Sequence, residues 1–241
     1  NVPQGGRVSK GKPINNLLQL EKGEKINAIL PVKAFDDNRY IFMATSLGTV
    51  KKTPLSAFSR PRSNGIIAIG LDEGDYLIGV ALTEGNHDVM LFSDGGKAMR
   101  FSENDVRPVG RSARGVRGMR LGVGQKVISL LVAENEELTV LTATENGYGK
   151  RTPISEYTRH NRGTQGMIAI NTSARNGKVV AAQLVKQDDE IMLITTGGIL
   201  IRTRVSEIRE MGRATQGVTL INLDQGEKLV GLERVVEADE E

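Results

Sequence analysis

The chain has 241 residues and a net charge of +3; 39% of its residues are apolar and 25% charged, a composition typical of folded globular proteins. It contains no cysteine and two histidines, which excludes a disulfide framework, cysteine-based zinc or iron–sulfur sites, thiol catalysis and a histidine-rich metal site. No apolar run approaches the roughly 18 residues of a membrane span, and residues 1–5 do not resemble a signal peptide.

Positive charge is distributed unevenly along the chain. Residues 233–241 hold five acids and one base, so the remainder carries +7, with 31 basic and 24 acidic residues. A basic body with an acidic tail favours a polyanionic partner and a segment that competes with it. A solvated surface of mixed sign is the alternative interpretation.

In chain order, the sequence repeats every 50 residues or so, and three series of glycines mark the repeat. The series are Gly48, Gly96, Gly147 and Gly198; Gly11, Gly65, Gly115, Gly166 and Gly217; and Gly23, Gly74, Gly124, Gly177 and Gly226. Three series in one register predict a tandem array within a single domain. The predicted bounds are a partial unit at 1–37, complete units at about 38–87, 88–135, 136–188 and 189–236, and the start of an acidic tail at 237–241.

Each unit is predicted to form four short β-strands. In the first complete unit these are residues 40–45, 50–53, 65–71 and 77–82, which are rich in Ile, Val, Leu and Thr. Asn146-Gly147 is typical of a two-residue type I′ hairpin, in which both residues have positive φ. No stretch sustains the apolar periodicity of a helix, so segments such as Thr53–Phe58 and Thr152–Tyr157 are predicted to form a single turn at most.

The predicted fold is therefore all-β and propeller-like, with blades of four short strands. A lone four-stranded sheet cannot bury both of its faces, so repeated sheets are expected to pack around a common axis. A β-solenoid is the competing geometry, although its coils usually repeat over fewer residues. The WD and kelch signatures are absent from the sequence.

A basic segment precedes the third predicted strand of each unit. Four residues before the second-series glycine stand Arg7, Arg111, Arg162 and Arg213, and where Pro61 takes that place it is flanked by Arg60 and Arg62. Equivalent loops of radially arranged units share one rim, so we predict a curved row of guanidinium groups. Basic pairs on the second strands would thicken this row if their side chains point outward. The candidate DNA-binding residues are Arg7, Lys10, Lys12, Lys51, Lys52, Arg60, Arg62, Arg100, Arg111, Arg114, Arg117, Lys150, Arg151, Arg159, Arg162, Arg202, Arg204 and Arg213.

A regularly spaced cationic arc suits a polymer of phosphates. Lysine and arginine release condensed counterions from duplex DNA, and several contacts along a convex edge could offset the cost of bending it. Sequence-specific binding is disfavoured because no recognition helix or zinc finger is visible. Single-strand binding is disfavoured because aromatic residues make up 4% of the chain and Trp is absent. A merely solvated rim is the alternative.

No catalytic constellation emerges from the sequence. Residues 6–12 nearly spell a phosphate-binding P-loop, but Pro13 stands where the motif needs Ser or Thr and a following helix. Acidic groups such as Asp188-Asp189-Glu190 fall between predicted strands and fit solvated turns better than acid–base catalysis. His160 lies in a basic loop, where it could add a phosphate contact.

Whole phrases of the sequence closely resemble the C-terminal domain of DNA gyrase A, across essentially the entire chain. The phrases are residues 42–53 (FMATSLGTVKKT), 115–121 (GVRGMRL), 146–152 (NGYGKRT), 202–208 (RTRVSEI) and 212–218 (GRATQGV). The resemblance implies a β-pinwheel, a propeller-like disc whose blades exchange strands, with duplex DNA wrapped around its basic rim. It also implies that wrapping directs strand passage so that negative supercoils are introduced.

The same resemblance sets expectations for partners and cofactors. The rest of gyrase A, which carries the nucleophilic tyrosine, and the ATP-hydrolysing gyrase B are implied partners, and no membrane is implied. The resemblance implies no cofactor for this domain, because ATP and magnesium are used elsewhere in the enzyme. It implies a bacterial cytoplasmic, nucleoid-associated location.

One departure concerns the seven-residue box Gln-Arg-Arg-Gly-Gly-Lys-Gly of that family. The resemblance places the start of the chain partway through the second blade, and residues 4–11 occupy the corresponding loop of a later repeat without being the box. Residues 237–241 look like the start of the family's acidic tail, a potential internal DNA mimic. The corresponding domain of topoisomerase IV, a protein-interaction scaffold with a basic rim, and a hydrolase with central carboxylates remain as alternatives.

Overall fold

The computed structural model describes residues 3–5 and 8–235, and within them every regular element is a β-strand or a short 3₁₀ turn. The strands are β1 (Tyr40–Thr45), β2 (Thr49–Pro54), β3 (Leu77–Thr83), β4 (Asp88–Ser93), β5 (Lys97–Ser102), β6 (Val116–Arg117), β7 (Val127–Ala133), β8 (Thr139–Thr144), β9 (Tyr148–Pro153), β10 (Met167–Ile168), β11 (Val179–Val185), β12 (Glu190–Thr195), β13 (Leu200–Arg204), β14 (Val218–Thr219) and β15 (Leu229–Val235). The 3₁₀ turns are Ile14–Asn16, Leu55–Phe58, Glu103–Asp105, Ile154–Glu156 and Val205–Glu207. The all-β prediction is confirmed. None of the described helical segments is long or apolar enough to cross a membrane.

The single turns predicted near residues 53–58 and 152–157 are confirmed as 3₁₀ turns that directly follow β2 and β9. The type I′ prediction for Asn146-Gly147 is wrong, because Gly147 has φ +83° while no described residue other than glycine has positive φ. The loop holds three residues between β8 and β9, and the Gly147 amide donates to the Thr144 carbonyl oxygen at 3.0 Å. A single left-handed glycine after a tight turn is the usual solution for a three-residue hairpin loop.

The strands form four antiparallel sheets, and three of the sheets take a strand from the following unit. The orders are β3-β1-β2-β6 (sheet I), β10-β5-β4-β7 (sheet II), β11-β8-β9-β14 (sheet III) and β13-β12-β15 (sheet IV). In sheet I, for example, Val116 pairs with Val50 although 66 residues separate them along the chain. The strand exchange that the family resemblance implied is confirmed.

This exchange corrects the prediction of four strands drawn from each unit. The predicted third strand at residues 65–71 forms no strand within the described residues, whereas its equivalents β6, β10 and β14 each pair with the sheet before them. Those donated strands are two residues long, shorter than predicted. The pattern of residue types indicated an extended segment but carried no information about which sheet it joins.

Apolar side chains fill the spaces between successive sheets. Phe42 of sheet I lies 6.4 Å from Phe101 of sheet II, measured between ring centroids, and Phe92 on the other face of sheet II lies 5.9 Å from Tyr157. All six residues of β4 are buried because sheet II is covered on both faces. A doubly covered strand does not need polar residues at alternate positions, which explains why the alternation in the sequence is only partial.

The inner and outer edges of the array are distinct. The strands β3, β7, β11 and β15 pack against one another in series, so they form the inner edge. The donated strands β6, β10 and β14 lie on the opposite side of the first three sheets, on the outer edge. The loops that lead into the donated strands therefore run along the outside of the array.

Two equivalent glycines offer a test of strand donation. Gly48 and Gly198 both have positive φ, at +87° and +79°, but a Cβ on Gly48 would lie 2.6 Å from the Met119 carbonyl oxygen, whereas a Cβ on Gly198 would meet no atom within 4 Å. Gly48→Ala should therefore lower the free energy of unfolding by about 1–3 kcal/mol more than Gly198→Ala in urea denaturation. If both variants lost the same free energy of unfolding, the donated segment would not lie close enough to the hairpin for a Cβ on Gly48 to clash with it.

Candidate nucleic-acid interface

Four basic loops lie along the outer edge, and we call them the rim loops. They are loop A (residues 59–65), loop B (107–115), loop C (159–166) and loop D (209–217). Loops B, C and D each end in a glycine with positive φ that directly precedes the donated strand: Gly115 (+101°), Gly166 (+74°) and Gly217 (+78°). A left-handed glycine lets the backbone turn abruptly into the sheet edge, so the loop stays outside while the strand docks.

Each of loops B, C and D is tied to the preceding unit by a periodic arginine. Arg111 donates from Nη1 to the carbonyl oxygen of Ile67 at 2.8 Å. Arg162 does the same to Arg117 at 2.9 Å, and Arg213 to Ile168 at 2.9 Å. The three acceptors each lie two residues after the second-series glycine of the preceding unit. These three arginines therefore occupy equivalent places on one edge, as the sequence predicted.

The same hydrogen bonds limit how far these three guanidinium groups can contact a ligand. Arg111, Arg162 and Arg213 are half-buried and spend donors on protein carbonyls, so they are not wholly free for a ligand. Their replacement would disturb the rim itself as well as its charge. Backbone bonds support the same connection: the Gly163 amide donates to the Gly118 carbonyl oxygen at 2.7 Å, and the Asn171 amide to Thr215 at 2.9 Å.

Five of the predicted residues present exposed charges without an ion-pair partner among the described residues. They are Lys10, Lys12, Arg60, Arg62 and Arg117. An open groove of about 870 Å³ between loops A and B is lined by Arg62 and Arg111, so the two neighbouring loops share one concave surface. These side chains are available to contact an anion.

Other predicted residues are engaged with carboxylates. Arg114 pairs with Asp72 at 2.6 Å, and both side chains are exposed. Arg159 pairs with the buried Asp88 at 2.7 Å. Arg202 pairs with Glu190, and Arg204 lies 4.0 Å from the same carboxylate. An exposed pair such as Arg114 and Asp72 contributes little to stability, so Arg114 can exchange its partner for a phosphate when a polyanion approaches.

The second-strand pairs of sheets I and III do not point outward, so they do not thicken the row as predicted. Lys51, Lys52, Lys150 and Arg151 are buried. The reason is strand donation: each pair lies at or near the pairing with the incoming segment, and the following unit covers it. Lys52 donates to the Glu103 carbonyl oxygen at 3.0 Å, and Arg151 to Ile208 at 2.8 Å.

Arg100 on β5 follows the same pattern. Its Nη1 donates to the carbonyl oxygens of Ile154 and Tyr157, both at 3.3 Å, and its Nε pairs with Asp88 at 2.8 Å. It holds the 3₁₀ turn of the next unit and is only partly accessible. In sheet IV the described chain contains no following unit, and the equivalent Arg202 remains exposed.

Burial shifts the protonation of the two lysines at equivalent positions. It lowers the pKa of Lys51 to about 8, and the nearby Arg111 charge acts in the same direction. It also lowers the pKa of Lys150 to about 8, where Glu156 opposes the shift and Arg213 adds to it. Removing an ammonium group from water disfavours its charged form.

Three exposed arginines on the same edge are absent from the sequence prediction. Arg107 and Arg209 both stand eight residues before the glycine that closes their rim loop, and Arg120 lies just beyond β6. The recurrence of arginine at the eighth position before that glycine is the signal that could have identified the first two. Nothing in the repeat distinguishes Arg120.

Some predictions fall outside the described residues: Arg7, residues 6 and 7 of the P-loop-like segment, and the acidic segment 237–241. His160 is exposed on loop C, where its amide donates to the Arg100 carbonyl oxygen at 2.9 Å. Among the described residues, no group of three or more His, Cys, Asp or Glu side chains is arranged to hold a metal ion.

The strand-exchanging sheets and basic outer edge define a propeller-like repeat protein. A family model described as the DNA gyrase C-terminal domain, a beta-propeller, matches residues 1–33, 39–84, 87–134, 139–186 and 189–235, and the chain belongs to this family. The five matched segments follow the period of the glycines.

Similar proteins agree with this assignment. The chain is 52% identical over 282 residues to the DNA gyrase A protein of Neisseria gonorrhoeae, covering 100% of this chain and 31% of that protein. It is 53% identical over 241 residues to the DNA gyrase A protein of Escherichia coli, covering 100% and 27%. The chain thus spans less than a third of the length of these relatives.

Two solved structures share the fold. One is a DNA gyrase A C-terminal domain with a TM-score of 0.85 and 28% identity, covering 95% of this chain and 76% of that one. The other is the C-terminal domain of a DNA topoisomerase IV with a TM-score of 0.87 and 26% identity, covering 93% and 70%.

The buried lysines predict a pH dependence of stability. Between about pH 8 and 10.5 the unfolded state holds protons that folded Lys51 and Lys150 have lost, so these groups make the free energy of unfolding rise with pH in this window. The double variant Lys51→Met/Lys150→Met should lack this contribution, which is up to about 1.4 kcal/mol per pH unit for each lysine. Urea denaturation at pH 7.5, 8.5 and 9.5 measures it.

The exposed Lys186→Met serves as the control, and its profile should run parallel to that of the unchanged protein. If the pH profile of the double variant also ran parallel to that of the unchanged protein, the pKa values of Lys51 and Lys150 would not be lowered by folding, and the expected pH dependence would be wrong.

Proposed function

We propose that this chain binds duplex DNA along the rim loops and wraps it, as the DNA-handling domain of a bacterial gyrase. In the complete enzyme the wrapped segment would be presented for strand passage so that negative supercoils are introduced. The cleavage chemistry and ATP hydrolysis would belong to the rest of gyrase A and to gyrase B, and this chain would be non-catalytic, without a cofactor of its own. Its location would be the bacterial cytoplasm, at the nucleoid, without a membrane partner.

The observation that carries this proposal is the continuity of the rim. Hydrogen bonds link each of loops B, C and D to the unit before it: loop B to the segment after Gly65, loop C to the segment after Gly115, and loop D to the segment after Gly166. The exposed cations of successive units therefore follow one path. Cations spaced along a curved path suit a ligand whose charge is itself repeated along a line. Each phosphate contact releases condensed counterions, which supplies affinity without any need to recognise the base sequence.

Duplex DNA fits the rim better than a single strand. The four rim loops contain no Phe, Tyr or Trp, so they offer no platform on which unpaired bases could stack. Contacts spread over several units can also offset the roughly 1–6 kcal/mol needed to bend a site of 20–30 base pairs.

Sequence similarity favours a gyrase over topoisomerase IV. The matching family model is that of gyrase and identity to the two gyrase A relatives is 52–53%, whereas the solved gyrase A and topoisomerase IV domains, at 28% and 26% identity, do not discriminate between the two. A scaffold that binds an acidic protein would use the same charges. The salt dependence of DNA binding, measured as follows, distinguishes that scaffold from a DNA-binding domain.

The test uses three exposed arginines that make no ion pair in the described chain: Arg60, Arg62 and Arg117. The linear-duplex affinity of the unchanged protein should fall steeply with salt in a mobility-shift series. In the triple Gln variant the slope of log affinity against log salt should flatten by about 0.9 for each arginine that neutralises a phosphate. The unfolding midpoint should change little, because surface substitutions usually cost under about 0.5 kcal/mol.

The control replaces three exposed lysines outside the rim loops with Gln, at Lys126, Lys178 and Lys186. It removes the same net charge as the arginine variant and should keep the steep slope of log affinity against log salt. Equal flattening in both triple variants would mean that only net charge matters, and absent or salt-insensitive binding would favour the scaffold.

A further inference from the structure

Two buried lysines lie directly beneath rim loops B and D. Lys51 on β2 and Lys150 on β9 are both 0% exposed and occupy equivalent positions in their sheets. Lys51 donates from Nζ to the carbonyl oxygen of Arg111, and Lys150 donates to that of Arg213. Both lysines thus hold the backbone of the periodic arginine supplied by the following unit.

The loop that Lys150 holds is matched to an ammonium group. Nζ lies 2.6 Å from the Gly212 carbonyl oxygen and 3.0 Å from the Thr215 hydroxyl oxygen, in addition to its bond to Arg213. An ammonium group has three donors and no acceptor, so three converging oxygens satisfy it. Lys51 bridges in a similar way, because it also donates to the Ala68 carbonyl oxygen at 2.7 Å.

These arginines are consequently held at both ends. The lysine below fixes the carbonyl of Arg213, while the Arg213 guanidinium reaches the Ile168 carbonyl oxygen of the neighbouring segment at 2.9 Å. Hydrogen bonds from a charged donor are stronger than neutral ones, and both attachments are of this kind.

Loop C shows what the equivalent position does without a lysine. Met99 occupies it, and its Sδ accepts a bond from the Thr164 hydroxyl at 3.0 Å. The chain therefore accommodates methionine at this position in an intact sheet, which makes Lys→Met a substitution that the fold already contains.

We propose that Lys51 and Lys150 are positioning residues for DNA: each fixes the rim loop above it in the shape that aligns the exposed cations with duplex phosphates. The proposal rests on the function proposed above and adds a role for residues that do not themselves touch the ligand. A loop ordered before binding does not have to be ordered during binding, and this retains affinity that a mobile loop would lose.

Lys150→Met tests the proposal directly. In the free protein, hydrogen exchange at the Met211 and Arg213 amides should accelerate about tenfold, since both amides are bonded within or beneath loop D. Exchange at the His160 and Gly163 amides of loop C should not change. Affinity for a linear duplex should fall about two- to tenfold at fixed salt.

One control and two further variants complete the test. Lys186→Met removes one exposed charge away from the rim and should alter neither exchange nor affinity. Lys51→Met should reproduce the effect in loop B, at the Val109 and Ala113 amides. Lys150→Gln keeps two donors and removes the charge, so it provides a milder variant if Lys150→Met does not fold.

Each outcome decides a separate point. Faster exchange with unchanged affinity would make the lysines purely structural, and lower affinity with unchanged exchange would indicate direct contact with DNA; either result overturns the proposal. If the unchanged protein did not bind duplex DNA, the proposed function would fail together with this inference, whatever the exchange rates showed.

Discussion

A strand that one unit donates to the sheet before it holds successive sheets of the array together. A two-residue strand such as Val116–Arg117 contributes few ladder bonds of its own. It brings with it, however, a loop that must cross the outer edge and a segment that packs against the hairpin of the preceding sheet, as Met119 does against Gly48. Each of the first three sheets is thereby completed by the next unit, and the outer edge becomes continuous.

Strand donation also explains how charge is sorted between the interior and the rim. Basic residues recur both on the second strands and in the rim loops, yet Lys51 and Lys150 are buried beneath the incoming loop, whereas Arg60, Arg62 and Arg117 remain exposed. The buried cations satisfy backbone carbonyls of the next unit, and the exposed ones face solvent along a shared path. A protein that grips a polymer without recognising its sequence needs both: a rigid edge and free charges along it.

Much of this organisation could be predicted from the sequence, because glycine spacing reports local geometry directly. The period followed from this spacing, the strand at Tyr40–Thr45 from its residue types, and the single turns from the lack of a sustained helical periodicity. The residue pattern alone did not predict which sheet each third strand joins, and only the family resemblance implied the exchange: Gly65 and Gly115 have the same local pattern, while only the latter segment has a sheet to join in the described chain. The burial of Lys150 was also unpredictable, because three converging oxygens from a loop more than 60 residues away make it tolerable.

The proposed function requires that duplex DNA follows the rim from loop to loop. Because the chain has no cysteine, Cys residues can be placed at Ser63, Ser112, Asn161 and Ala214, one exposed position on each rim loop, and joined to a DNA-cleaving iron chelate. Binding that does not recognise the base sequence has no fixed register, so each double variant carries one chelate at Ser63 and one at Ser112, Asn161 or Ala214, and the length of the fragment released between the two cuts is measured. We expect this length to grow in the order of loops B, C and D. Fragments of one common length, or lengths in an order unrelated to the loops, would show that the duplex does not follow the rim.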